Sequence, residues 1–261
     1  MTTHKRSATE RGAAVKSLET AFRILDALEA SNGAGVSEVA DEAGVAKSTV
    51  HDHLTTLESN GFLVKNDDDT YRVGLRFLDH GGRARSRLQL YQTAKSEIEK
   101  LADKTGELVN LVVEEDGLGV YIDYAKGQDA VHLDTYLGKH EHLHNTAFGK
   151  AILAHLPSSE VNEIIERHGL PAETGRTITS REVLEEHLDT VRENGYAVDN
   201  EERLAGTRCV AAPIKTHKNE VTGAISISGP SGRLKNDDLI IELANEVTNT
   251  ANIVEVNMTY G

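Results

Sequence analysis

Apolar residues recur every three or four positions along three successive segments near the start of the sequence, a spacing that predicts three amphipathic helices. The stripe on the first helix consists of Leu18, Phe22, Leu25 and Leu28. The stripe on the third helix, at i, i+4 and i+7, consists of Val50, Leu54 and Leu57. Ser17 and Ser37 are the predicted N-caps of the first two helices, the second covering 38–43 before a turn at Gly44. Together the three stripes predict a small helical core.

The opposite face of the third helix presents polar and charged side chains. Its members are Lys47, Ser48, Thr49, His51, Asp52, Thr55 and Thr56. Side chains of these types reach phosphates and base edges when a helix enters the major groove of DNA. Two short strands, 62–65 and 70–73, follow around a turn at 66–69, which completes the outline of a winged helix-turn-helix. An ordinary helical hairpin with a solvated face gives a similar helix pattern, and the added strands favour DNA binding over it.

The rest of the chain alternates helices with strands and predicts an α+β domain on a mainly antiparallel sheet. Helices are predicted over 91–104, 146–156, 158–167, 181–194 and 234–257. Strands are predicted over 108–114, 119–124, 132–137, 196–199, 209–214 and 222–228. The predicted organisation is a flexible arm at 1–14, a DNA-binding domain at 15–74, a linker helix at 75–90 and a second domain at 91–261.

Composition narrows the class of protein. The 261 residues suit two domains, and the lone cysteine, Cys209, excludes an intrachain disulfide or a multi-cysteine zinc site. The sequence shows neither a long apolar tract nor a secretion leader, which predicts a cytoplasmic protein without a membrane partner. We expect no bound cofactor.

The acidic excess is concentrated in the second predicted domain. The net charge is −14, yet residues 1–90 hold 12 Lys and Arg against 13 Asp and Glu, while residues 91–261 hold 16 against 29. The first part is therefore nearly neutral and can approach phosphate. Acidic excess with few aromatic residues also suits solubility at very high salt, so we hypothesise a halophilic source. Unfolding on dilution from molar to millimolar salt would support this, and indifference to salt would end it.

Several motifs in a fixed order resemble the IclR family of transcription regulators. The first is 46–51, AKSTVH, which is similar to the start of that family's recognition helix. The second is 144–154, HNTAFGKAILA, and the third combines 199–202 (DNEE), Gly206, 209–213 (CVAAP), 226–230 (SISGP) and Arg233. The resemblance covers the chain from about Val15 to the last helix. It implies a winged helix-turn-helix on double-stranded operator DNA, a GAF-like effector-binding domain, and a homodimer or homotetramer.

The resemblance also implies a pocket for a small metabolite, usually an organic, aromatic or sugar-derived acid. By position, its lining would consist of Ala147, Phe148, Asp199, Cys209, Ser226 and Ser228. Backbone N–H groups at the start of the helix from Thr146 favour an anionic ligand, whereas Asp199 can bond ligand hydroxyls or repel a carboxylate. Two plainer interpretations stay open: Cys209 as a small buried residue, and the two serines as members of a solvated sheet face.

Two acidic features depart from the family pattern. Asp52 stands on the recognition helix at a position where a basic residue is common in the family. Its negative charge argues against a phosphate contact there, and its carboxylate can accept a hydrogen bond from a cytosine amino group. The predicted wing tip, Asp67 to Asp69, is acidic where a groove-tracking wing would be basic. Either the wing stays clear of DNA or cations bridge it.

The sequence offers two alternative classes of function. His140, His142 and His144 recur at i, i+2 and i+4, which would put three imidazoles on one side of a strand and allow a metal-responsive regulator. Histidine-rich loops are more often simply solvated, so we predict no metal site. An enzyme of GAF-like fold would need a nucleophile with a positioned base, and no such motif stands out. We therefore predict a regulator and not an enzyme.

Overall fold

The computed structural model describes residues 15–31, 33–131 and 133–261. The predicted arm at 1–14 lies outside the described residues, and so does His132. The chain divides into two units between Arg83 and Ala84, and each unit is described by itself. None of the helices in these ranges is both long and apolar enough to cross a bilayer.

The first unit is a three-helix core with a two-stranded hairpin. Its elements are α1 (Lys16–Ala30), α2 (Val36–Ala43), α3 (Lys47–Ser59), β1 (Leu63–Lys65) and β2 (Tyr71–Val73). The strands pair antiparallel, and Ala34 adds a bridge to Tyr71. Ile24, Leu28, Val50 and Leu54 are almost completely buried in one cluster. The predicted winged helix-turn-helix is confirmed.

Helix α1 departs from its predicted stripe. Leu18 and Phe22 were predicted to face the core but are 56% and 62% exposed, because the core covers only the second half of α1, around Ile24 and Leu28. The predicted caps are also wrong. Helix α1 begins after Val15, and α2 begins after Gly35, whose backbone N–H donates to Glu38 Oε2 at 2.9 Å.

Helix α4, Arg76–Ser86, follows the hairpin and contains Gly81 and Gly82 without interruption. None of its residues is buried.

The second unit is a six-stranded sheet with helices on both faces. Its elements are α5 (Gln89–Thr105), β3 (Leu108–Glu115), β4 (Leu118–Lys126), β5 (His140–His142), α6 (Ala147–Leu153), α7 (Ser158–His168), α8 (Arg181–Asn194), β6 (Ala197–Asn200), β7 (Thr207–Lys215), β8 (Val221–Pro230) and α9 (Asp237–Tyr260). The strand order is β5-β4-β3-β8-β7-β6, and all neighbours are antiparallel. The α+β class is confirmed.

Alternate residues of each strand enter two separate cores, as the pleat of a strand requires. On β7, Val210 and Ala212 pack with α5 and α9, whereas Ala211 packs with α6 and α8. The α6 face carries the cavity described below.

Three predicted elements differ from the structure. No strand forms over 133–139, since Gly138, at φ +83°, donates to the Tyr121 carbonyl in a turn, and pairing with β4 begins only at His140. Helix α6 has seven residues and ends at Leu153, short of the predicted 156. The last helix begins at Asp237 and not at the predicted 234. Asn236 is its N-cap, and the Asn236 side chain accepts from the N–H of Asp238 at 3.0 Å.

Candidate DNA-binding helix and effector pocket

The outer face of α3 is set by the burial of its inner face. Val50 and Leu54 are fully buried, and the positions opposite them are therefore turned outward. Six of the seven predicted DNA contacts are exposed and Thr49 is partly exposed; the six are Lys47, Ser48, His51, Asp52, Thr55 and Thr56. Their contact with DNA stays a prediction.

Polar contacts of two side chains, Lys47 and His53, hold α3 against α2 and α1. The Lys47 ammonium donates to Ser37 Oγ on α2 at 2.9 Å. His53, which the sequence pattern did not single out, places Nδ1 2.8 Å from the Thr49 carbonyl and Nε2 3.1 Å from the Ser17 carbonyl on α1. His53 thus ties α3 to α1, a long-range contact that no local signal reveals.

The acidic wing tip is explained by the turn it forms. Asp68 accepts from the Thr70 hydroxyl at 2.6 Å and from its backbone N–H at 3.2 Å. Asp69 adopts a left-handed φ of +63°, which Asp tolerates better than most residues, and pairs with the Lys65 ammonium at 2.6 Å. Two of the three aspartates therefore build the turn.

A cavity of about 330 Å³, including its open part, lies beside α6 in the second unit. Five of the six residues predicted for an effector site line it: Ala147, Phe148, Asp199, Cys209 and Ser228. Ser226 does not line it; it is buried, and its hydroxyl accepts from Asn110 Nδ2 at 3.3 Å. The lining also includes residues outside the predicted set, among them Tyr121, Thr135, Thr146, Arg203 and Thr207.

Strand register brings three of the predicted residues together. Asp199 on β6 pairs with Cys209 on β7, and Cys209 pairs with Ser228 on β8. Directly paired residues point to the same face of a sheet, so the three side chains form one row across three strands. Asn110 Nδ2 donates to Ser228 Oγ at 3.2 Å from the next strand, β3. The row makes one polar wall of the cavity.

Asp199 supplies the carboxyl group of this row, and its burial changes its pKa. It is 2% exposed, and its Oδ1 accepts from the Glu202 backbone N–H at 2.7 Å. Burial raises its pKa from 3.8 to about 6 despite that hydrogen bond. Burial likewise raises the pKa of the Cys209 thiol, which favours the neutral thiol and supports its interpretation as a small packing residue.

We expect Asp199→Asn to be stabilised relative to the parent at neutral pH and much less so in acid. Because the folded-state pKa is raised, the protonated carboxyl contributes stability below pH 3.8, and this contribution is lost as the pH rises through about 6. The variant should therefore gain about 2–3 kcal/mol relative to the parent between a pH below 3.8 and neutral pH. Urea unfolding across that range measures it, with Asp103→Asn on the exposed face of α5 as control. An equal change in stability at the acidic and the neutral end of the pH range would contradict the raised pKa of Asp199.

A buried ion pair lies next to Asp199. Lys150 on α6 is 1% exposed, and its ammonium contacts Glu202 Oε1 in the segment after β6. Glu202 Oε2 is buried without a hydrogen-bond partner among the described residues. The pair joins two elements that border the cavity.

The three histidines do not assemble as their spacing suggested. Strand β5 ends at His142, so His144 lies beyond it, where it is 3% exposed with Nε2 3.0 Å from the Pro171 carbonyl. Burial lowers the pKa of His144. No group of three or more His, Cys, Asp or Glu side chains within the described ranges is placed to hold a metal ion. The described residues therefore give no support to the alternative of a metal site at His140, His142 and His144.

A winged helix-turn-helix followed by an α+β unit with a polar cavity is the architecture of a DNA-binding transcription regulator. Residues 17–67 match the IclR helix-turn-helix domain, and residues 82–256 match the bacterial transcriptional regulator IclR C-terminal domain. The chain belongs to the IclR family of transcription regulators.

Two similar proteins support this membership, and a third shares the fold. The probable HTH-type transcriptional regulator ArcR of Halobacterium salinarum is 34% identical over 247 residues, covering 94% of each chain. The crystal structure of the Thermotoga maritima IclR matches 94% of this chain and 99% of its own with a TM-score of 0.77 and 31% identity. An IclR homolog of Microbacterium hydrocarbonoxydans, solved with 4-hydroxybenzoate, matches 93% of this chain and 98% of its own with a TM-score of 0.80 and 22% identity, a likeness of fold.

Proposed function

We propose that this regulator binds operator DNA through the outer face of α3, and that a small organic or sugar acid in the cavity of the α+β unit controls the binding. The observation that carries the first part is a fully buried Val50 and Leu54 behind an exposed polar face. The second part rests on the row Asp199, Cys209 and Ser228, which gives the cavity a polar wall.

The coupling we propose is between two states of a homodimer or homotetramer that differ in the spacing of their α3 helices. An effector that binds one state better shifts the population towards it, and the half-site spacing of the operator then fits better or worse. Self-association is supported by large apolar side chains that the first unit exposes, among them Leu18, Phe22 and Leu78. Residues 68–81 fall between the two family matches, which supports a linker helix within 75–90.

Fluorescence anisotropy of the full-length chain tests the proposal. The DNA would come from upstream of genes whose transcripts change on deletion of the regulator, and the titration would be repeated with small acids from the affected pathway. We expect salt-dependent binding whose affinity one of these acids changes. Catalytic turnover of the acid without any effect on DNA binding would instead support an enzyme.

Asp52→Ala is expected to change which base the regulator prefers without changing its stability. The Asp52 side chain is 83% exposed, and its carboxylate can accept from a cytosine amino group. Loss of that contact should reduce discrimination at one operator position by about tenfold. Binding to an operator series with each base substituted measures this, with Asp26→Ala on α1 as the charge-matched control. An unchanged preference would refute the role of Asp52.

A further inference from the structure

Arg203 is the one cation lining the cavity among the described residues, and its ion pairs are unequal. Its Nη2 donates to Glu141 Oε1 at 2.7 Å and to Asp134 Oδ1 at 2.8 Å. Its Nε is buried and has no hydrogen-bond partner among the described residues. A guanidinium offers Nε and Nη2 side by side as a fork that fits one carboxylate. Here only one prong of the fork is used.

The two acidic partners share the Lys139 ammonium and differ in exposure and in the element that carries them. Glu141 is on strand β5 and its side chain is 14% exposed. The Asp134 side chain is 61% exposed and lies in the segment before β5 that forms no strand. Its neighbours Leu133 and Thr135 both line the cavity. Because Asp134 is the more exposed of the two and lies outside any strand, it is the partner that can leave Arg203 and open the cavity as it does so.

We propose that Arg203 is the residue that selects an anionic effector, and that Asp134 is an internal counter-ion which the effector carboxylate replaces. This inference rests on the proposed effector site. The incoming carboxylate takes both Nε and Nη2, Glu141 keeps its bond, and the Asp134 carboxylate moves into water. Before the exchange, Arg203 and Lys139 face the carboxylates of Glu141 and Asp134. After it they face those of Glu141 and the effector, so the exchange buries no extra charge.

Asp199 sets the complementary limit on the effector. It lines the same cavity and is ionised above its pKa of about 6, so a second carboxylate near it would be repelled while a hydroxyl would be bound. The effector class that fits is a small monocarboxylate carrying a hydroxyl group.

Thermal-shift and calorimetric titrations of the full-length chain test the exchange. The probes are acetate, lactate and 4-hydroxybenzoate at constant ionic strength, with lactamide and 4-hydroxybenzamide as uncharged counterparts. At least one acid should bind more tightly than its amide. Asp134→Asn, which removes the competing charge, should tighten that acid about fivefold. Arg203→Lys, which keeps the charge but loses the fork, and Arg203→Gln should weaken it about thirtyfold or more.

Asp189→Asn is the matched control for Asp134→Asn, because it removes an exposed, ion-paired carboxylate on α8 and should leave the dissociation constant unchanged. If an acid bound the Asp134→Asn and Arg203 variants as tightly as the parent, the exchange would be refuted but the effector pocket would still be supported. Equal binding of an acid and its amide would have the same meaning. Failure of every probe to bind either the parent or Asp134→Asn would reject both proposals.

Discussion

Replacing Lys150 by Met should lower the free energy of unfolding by about 3–5 kcal/mol, because it leaves the Glu202 carboxylate buried without a counter-ion. Lys150 and Glu202 are 1% and 7% exposed at their side chains, so water reaches neither charge. Methionine is unbranched and only one heavy atom shorter than lysine, so the loss reports chiefly the missing charge. Urea unfolding followed by circular dichroism measures it.

Two further variants separate charge from packing at this pair. Lys150→Met with Glu202→Gln should recover most of the lost stability, because neither charge then remains buried. Lys104→Met removes a lysine of the same kind from a pair with Glu246 at 2.6 Å, but that lysine is 63% exposed, so we expect a loss of less than about 1 kcal/mol. Equal losses for Lys150→Met and Lys104→Met would contradict the account of the buried pair.

The second large effect is expected on DNA affinity. Thr55→Glu puts a carboxylate at an exposed position of α3, where it would meet base edges and phosphates of the major groove. Repulsion and the lost contact together should weaken operator binding about a hundredfold at fixed salt. Anisotropy titrations on one operator duplex would measure this.

The matched control for Thr55→Glu is Ala30→Glu, which makes the same charge change at an exposed residue of α1. Its operator affinity should stay within a few-fold of the parent, and thermal unfolding should show both variants folded. If Thr55→Glu bound DNA as tightly as Ala30→Glu, the outer face of α3 would not be the DNA-binding surface.

Local sequence patterns predicted correctly which residues are buried where the spacing within a single element determines its buried face. Val50 and Leu54 are predicted inward by their spacing and are fully buried. The order of helices and strands along the chain predicts a mainly antiparallel sheet, which the structure has. The same reasoning was wrong for α1, where the spacing of Leu18 and Phe22 is correct for an inward stripe but the neighbouring core stops short of them. Periodicity reports which residues share a face, and only the packing partner decides how far that face is covered.

The lining of the cavity could be predicted only in part from the sequence. The family motifs indicated Asp199, Cys209 and Ser228, yet their alignment in one row depends on pairing between strands distant in sequence. Nothing in the motifs indicated Arg203, whose partners Asp134 and Glu141 lie more than 60 positions earlier in the chain. Lys150 reads locally as an ordinary helix residue, and only the segment after β6 supplies the carboxylate that permits its burial.

The sequence by itself determined the winged helix, the α+β class and the family, because these follow from spacings within elements and from motifs a few residues long. The tertiary structure alone decided which side chains meet around the cavity, which half of α1 is covered and which charges are buried. These depend on strand register and helix placement, which are set by contacts between distant residues that no local pattern records.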